Sequence, residues 1–249
     1  MTRRFRDLLV FEATGSLVIA CDSIGGIGPK PADTIAADAR TTAHFGVRVP
    51  LLEVLCAGAR PIALVDTLCV ERHPTGQLMI DEIRALAAEA GIPPQAVTGS
   101  TEENVLTTAT GIGITVIAAL DDELPKAQPG DVVVCVGLPI SAPDFEIRIG
   151  HPDQVSVGEV RALLDSGLVH DALPVGSRGV SFEVAEMARV ADLAFTQLDC
   201  PIDLHHSGGP ASCVLFACAP QAAAALTRCL APGRPVTQVA RFTSLNPAN

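Results

Sequence analysis

Residues 16–30 read SLVIACDSIGGIGPK, an apolar run that meets an acid and then a glycine-rich turn. Ser16 to Cys21 has the composition of a short buried strand, and Asp22 with Gly25, Gly26, Gly28 and Pro29 ends it. Outward from there, period-2 and period-3.6 patterns alternate. Thr34 to Ala57 is mostly helical in pattern; Pro50 is expected to open a second helix at Leu51, because proline suits a first turn and not an interior. Gly58 closes that segment, and Pro61 to Cys69 (PIALVDTLC) reads as a strand. Thr75 starts a helix whose apolar face carries Leu78, Ile83, Leu86 and Ala90, with Gly91 as its stop. Gly111 to Ala119 is a further strand, so the series predicts a βαβαβ-like order.

Leu120 to Gly130 (LDDELPKAQPG) is acidic, proline-containing and weakly periodic, the pattern of a boundary. Beyond it, strands are expected over 131–138, 168–175, 214–219 and 235–242, and helices over 182–192 and 221–230. Ser156 with Glu159 forms a capping box, which predicts a helix over 157–166 that Gly167 closes. Two lobes of similar size follow, residues 1–121 and 131–249.

The chain has 249 residues, a formal charge of −11 and 48% hydrophobic residues, which excludes disordered, collagen-like and disulfide-miniprotein classes. Its core must be built from Ala, Val, Leu and Ile, since Trp and Tyr are absent. The acidic balance argues against nucleic acid or an anionic membrane as partner. A protein of this charge that handles phosphates needs a divalent cation to mediate the contact. No apolar run reaches the roughly 20 residues of a membrane span. Asp7 and Glu12 interrupt the opening MTRRFRDLLVF, so a cytoplasmic protein is expected rather than a signal peptide. Six of the eight cysteines lie in apolar stretches and read as reduced thiols. Cys200, His205, His206 and Cys213 match no familiar zinc module, and no zinc is expected.

Two segments could carry chemistry. In Asp22 to Lys30, glycines let amides turn toward an anion and Lys30 supplies charge for phosphate oxygens; a tight strand-to-helix turn is the plainer reading. In Thr98 to Asn104 (TGSTEEN), Glu102 and Glu103 among small hydroxyls suit a hard cation such as Mg²⁺. The same pattern suits a helix N-terminus, with Ser100 or Thr101 as cap and the acids in the first turn. Glu53 is a charge within an apolar helix, where most such residues face solvent. Asp66 is odder, since a carboxylate seldom sits mid-strand among apolar residues.

Taken in order, these segments resemble the ATP-binding half of the AIR synthase superfamily, which includes thiamine-monophosphate kinase, selenophosphate synthetase and a hydrogenase maturation factor. CDSIGGIGPK is similar to its Asp-Gly-Val-Gly-Thr-Lys segment. AHFGVRVPLLEVLCAGARPIALVDTL is similar to its helix, acid and "GA-P" strand signature, with Glu53 where an Asp is usual. GSTEEN stands at its Gly-Gly-Asp/Glu-Thr position, and LVHDALPVGSRGVSFEVAEMA resembles its C-terminal strand-to-helix region. Within the superfamily the closest resemblance is to the α-ribazole kinase branch, on Asp22 to Lys30, Gly99 to Asn104 and Ser207 to Ala211.

The resemblance implies an α/β (α+β) fold of AIR synthase type. Its N-terminal ferredoxin-like lobe, residues 1–121, would bind ATP and Mg²⁺ and form a dimeric β-barrel; residues 131–249 would form a C-terminal α/β lobe. Asp22, Glu53, Glu102 and Glu103 would be metal ligands. Gly25, Gly26, Gly28, Lys30, Ser100, Thr101 and Asn104 would bind the nucleotide, and Lys30, Asp66 and Asp171 would be catalytic. His170 could contact phosphate, or be an ordinary loop histidine. The implied activity is transfer of the γ-phosphate of ATP to the 5′-hydroxyl of α-ribazole, a nucleoside-like small molecule, by a homodimer. Such transfer asks for positioning and charge neutralisation, and metals reverse the sign of an acidic site. Two alternatives stand beside it. One is a different ATP-dependent member that activates a carbonyl or amide oxygen; the other is a non-catalytic nucleotide-binding homologue.

Overall fold

Gly111–Leu120, GIGITVIAAL, alternates half-exposed and buried residues along its whole length, the signature of a strand with one face on a core. In the computed structural model, which describes residues 2–6, 8–12 and 15–245, this strand (β8) sits inside a six-stranded sheet of order β1-β2-β3-β8-β6-β7. The others are β1 (Thr2–Phe5), β2 (Leu8–Glu12), β3 (Ser16–Gly25), β6 (Arg60–Leu68) and β7 (Val97–Thr101). Two short strands, β4 (Ile27–Gly28) and β5 (Ile35–Ala36), pair in parallel beside it. Helices α1 (Ala39–Cys56) and α2 (Gln77–Glu89) complete this part, which clusters as Met1–Leu55 with Ala59–Asp122.

The β3–β8 and β8–β6 pairs are antiparallel, and only β6–β7 is parallel. The βαβαβ order is present as β3-α1-β6-α2-β7, three strands that run the same way, but its third strand is β7 and not Gly111 to Ala119; β8 runs antiparallel between β3 and β6, and the fold is mixed α+β. One face of the sheet carries Val18, Ala20, Leu64, Leu68, Ile112, Val116 and Ala118, all buried. Over it lies α1, whose Gly46 approaches Ile112 and Ile24 so closely that a Cβ would be 3.5–3.6 Å from their methyl groups. The opposite face, with Leu17, Ile19, Val65, Thr115 and Ile117, is half-exposed. Alternation puts Cys21 and Cys69 on that exposed side, so these two thiols are not core residues.

Three further expectations are corrected. Pro50 does not split the helix: α1 runs through it unbroken. Val47, Leu51, Leu52 and Val54 are each wholly buried around it, and such packing outweighs the roughly 3 kcal/mol that an interior proline costs. An irregular turn over Arg72–Gly76, with His73 extended (φ −125°, ψ 131°), precedes α2, and Met79 rather than Leu78 joins Ile83 and Leu86 in the core, Leu78 being 40% exposed. No helix follows Thr101, because Gly99 to Thr101 belong to β7.

The other unit, Cys56–Gly58 with Glu123–Asn249, is built on a five-stranded sheet in which every neighbouring pair is antiparallel. Its strands are β9 (Val132–Val136), β10 (Val169–Pro174), β11 (Leu193–Gln197), β12 (Val214–Cys218) and β13 (Val236–Ser244), in the order β10-β12-β9-β13-β11. Val133, Leu215, Ala217 and Phe242 pack with Val184 and Met187 of α4 (Gly179–Ala191). In α3 (Val157–Asp165) the capping box forms as expected: the Glu159 amide donates to Ser156 Oγ at 3.1 Å and the Ser156 amide to Glu159 Oε2 at 2.7 Å. Over 221–230 a single α-turn, α5 (Ala223–Leu226), passes into a 3₁₀ turn, shorter than the expected helix. Among the described residues no helix is long and apolar enough to cross a membrane.

Candidate functional site

The glycine segment after β3 is closed by one acid the sequence reading passed over. Asp33 accepts the Lys30 amide at 2.8 Å and the Thr110 amide and hydroxyl at 2.7 Å each. Burial alone would raise the Asp33 carboxyl, but these bonds outweigh it and hold it below the usual carboxylate range. Gly28 lies against the same threonine, and a Cβ there would stand 2.3 Å from Thr110 Oγ1. The Gly26 amide donates to the Thr110 carbonyl at 2.9 Å, and Gly25 stands in the ladder opposite Gly111. In this conformation the Gly26 amide is thus committed to the fold instead of pointing at an anion.

Lys30 Nζ makes an ion pair with Glu71 Oε2, and the other Glu71 oxygen accepts the Thr75 hydroxyl at 2.6 Å. Desolvation pulls the Glu71 carboxyl up, yet the Lys30 and Thr75 bonds prevail and hold it at about 2. The next residue, Arg72, donates its amide to Glu103 Oε1 at 2.7 Å, which also accepts the Thr101 hydroxyl at 2.9 Å. Glu102 Oε1 accepts the amides of Asn104 and Val105, at 2.7 and 3.2 Å. The two glutamates therefore shape a loop rather than start a helix. Two sets of polar contacts, Lys30 with Glu71 and Arg72 with Glu103 and Thr101, are joined by the peptide bond between Glu71 and Arg72. Glu71 and Arg72 were missed in the sequence; the available signal was their place just past the end of β6.

Asp22, Ile114, Asp66 and Gly99 form one cross-strand row. Directly opposed residues share a face, so both aspartates lie on the helix-covered side. Two strand spacings hold them roughly 10 Å apart. Burial raises the Asp22 carboxyl, partly offset by a hydrogen bond from the Ser23 backbone. Asp66 is only 4% exposed; burial pushes it up to about 6, against the weaker opposing pull of the Arg84 guanidinium. An acid raised on folding weakens the fold as pH climbs from its unfolded value near 4 to about 6, and the penalty persists above. Asp66→Asn is expected to be more stable than wild type at pH 7–8, by on the order of 2 kcal/mol, and to lose that advantage near pH 4. Melting curves across pH check this; a gap that does not change with pH would sink it.

Glu53 is half-buried on α1. Asp171 lies in the other unit, on β10, and is 1% exposed. Beside it His170 Nδ1 bonds the buried Asp131 carboxylate at 2.9–3.0 Å. Of the four residues weighed and rejected as a zinc site, Cys213 is buried and His206 Nε2 meets Ser141 Oγ at 3.3 Å. Among the described residues no three His, Cys, Asp or Glu side chains stand close enough to cage a metal. Asp22, Glu53, Glu102 and Glu103 nevertheless offer the all-oxygen chemistry that Mg²⁺ takes. That ion usually keeps several waters and uses one or two carboxylates with substrate phosphates. Oε2 of Glu102 and of Glu103 takes none of the loop bonds described above.

Residues 7–119 match the family model described as AIR synthase related protein, N-terminal domain. No curated protein matches the chain. Among solved structures it is similar to Thermotoga maritima PurL complexed with ATP, at 17% identity and a TM-score of 0.65, over 96% of this chain and 42% of that one. The chain thus spans well under half the length of PurL. Thiamine monophosphate kinase from Aquifex aeolicus aligns at 11% identity and a TM-score of 0.66, over 97% of this chain and 90% of that one. A chain of the HypE-HypF complex aligns at 16% identity and 0.62, over 92% and 85%. At these identities the likeness is one of fold. Residues 7–119 thus match the AIR synthase-related N-terminal domain by sequence, and beyond them the likeness is one of fold alone.

Proposed function

We propose that this protein is an ATP-dependent small-molecule kinase that phosphorylates the 5′-hydroxyl of α-ribazole. The observation that carries the reading is the pair of polar contacts, Lys30 with Glu71 and Arg72 with Glu103, linked through the Glu71–Arg72 peptide bond. It joins the glycine segment to the GSTEEN loop inside the stretch that matches the family model. Neighbours in fold include a PurL bound to ATP and a kinase, which supports nucleotide use. In this reading Lys30 neutralises polyphosphate oxygens, with Gly25, Gly28, Ser100, Thr101 and Asn104 lining the nucleotide. Asp22, Glu53, Glu102 and Glu103, of which no three stand together in this conformation, would meet Mg²⁺ one or two at a time alongside substrate phosphates, and the ion supplies charge neutralisation when bound. Asp66, raised to about 6, is suited to take the hydroxyl proton near neutral pH; Asp171 is the second candidate.

Residues 1–121 would then be the nucleotide and dimerisation domain and 131–249 the C-terminal domain of an AIR synthase-type enzyme. The half-exposed sheet face with Leu17, Ile19, Val65 and Ile117 supports a homodimer in which two copies close a β-barrel, since an uncovered apolar face invites cover. ATP turnover measured over a panel of nucleosides, with α-ribazole among them, tests the activity. Turnover selective for α-ribazole is expected; none with any nucleoside would defeat the kinase reading. Sedimentation at micromolar concentration should give twice the 25.7 kDa of the chain, and a monomer would count against the barrel.

A further inference from the structure

A cleft in the first unit runs along the edge strand β7 and is lined by Asp66, Arg72, Arg84, Thr98, Ser100 and Thr101. Its base is made by a close approach. The Asp66 carboxyl lies over Gly99, where a Cβ would be 2.3 Å from Oδ1, so the missing side chain opens the floor to the carboxyl. Arg84 reaches the rim from α2, one turn beyond Ile80, which also lines the cleft. The Arg72 backbone is anchored at the other end by the bond from its amide to Glu103, and its side chain lines the cleft from there. Among the described residues neither guanidinium has a carboxylate within ion-pair distance. Arg84 acts on Asp66 only as a more distant charge.

Two arginines and three hydroxyl-bearing residues line one cleft, the Thr101 hydroxyl already donating to Glu103, and such a lining suits an oxyanion with many acceptors. Arginine forks match phosphate oxygens, and Thr and Ser hydroxyls supply further donors. The buried carboxyl at the base has the opposite chemistry, that of an acceptor for a hydroxyl. We propose that this cleft is a phosphate-monoester subsite, in which Arg72 and Arg84 grip the phosphate while Asp66 accepts a hydroxyl of the group that carries it. This rests on the kinase reading in one respect: the product of that reaction is a phosphate monoester on a polyhydroxyl carrier, and the subsite gives Arg72 and Arg84 its recognition.

The test is binding of ribose 5-phosphate to the full chain without nucleotide, by titration calorimetry, with ribose as the uncharged control. Wild type should bind the ester saturably and ribose not at all. Arg72→Gln and Arg84→Gln should each weaken the ester by about 10–100-fold, the scale of a lost charge-assisted hydrogen bond, and Arg84→Lys should recover part of it. Both arginines are exposed, so melting curves of the variants should match wild type. Equal affinity for ester and ribose, or ester binding unchanged in both glutamine variants, would overturn the subsite. Nucleoside turnover measured alongside separates the two readings. Arginine-dependent ester binding without turnover defeats the kinase alone, whereas turnover without such binding defeats the subsite alone.

Discussion

Replacing Glu102 and Glu103 together by glutamine is expected to leave the fold intact and to lower phosphoryl transfer by at least two to three orders of magnitude, about the effect of removing one electrostatic contact to a transition state. The geometry separates the two consequences. Each carboxylate uses Oε1 as an acceptor, Glu102 for the amides of Asn104 and Val105 and Glu103 for the Arg72 amide and the Thr101 hydroxyl. A glutamine carbonyl accepts the same bonds. What it lacks is the charge that draws Mg²⁺. Because no helix starts at Thr101, the roughly 0.3–1 kcal/mol expected of an acid at a helix N-terminus is not at stake. A melting curve and a transfer assay with α-ribazole decide the matter. A double variant that phosphorylates at the wild-type rate would remove both glutamates from any metal site.

Gly99→Ala is the second large effect, and it acts through the sheet. A Cβ at this position would stand 2.2 Å from the Asp66 carbonyl oxygen as well as 2.3 Å from Oδ1. The carboxyl could rotate away, but the carbonyl belongs to the β6 backbone and can move only with the strand. Relief therefore requires β7 to pull back from β6 along the pairing of Leu64–Leu68 with Val97–Thr101. We expect a loss of about 1–3 kcal/mol, the usual range for overpacking, and displacement of the Ser100–Asn104 segment that follows. Gly25→Ala is the matched control: it is also a strand glycine, but its Cβ would meet nothing within 4 Å. Its stability should stay within about 0.5 kcal/mol of wild type. Equal melting of the two variants would mean that the Gly99 contact relaxes freely.

Local signals were legible in the chain because neighbours a few residues apart decide them. The alternation of β8, the Ser156–Glu159 capping box and the stop at Gly91, whose φ of +84° suits glycine, need no partner from elsewhere. Asp66 stood out for a similar reason, since a carboxylate amid PIALVDTL contradicts its own surroundings. Tertiary structure alone decided the rest. Insertion of β8 between β3 and β6 split the first βαβ unit, made most neighbouring pairs of the sheet antiparallel and set Asp22 and Asp66 in one row. Lys30 finds Glu71 across 41 residues, Arg72 finds Glu103 across 31, and Asp33 finds Thr110 across 77. Pro50 stays inside α1 because the buried residues around it repay a local cost. Spacing along the chain encodes contacts only within a turn or a strand. Pairing across tens of residues is fixed by which apolar faces bury one another, and that choice brought the charged groups of this site together.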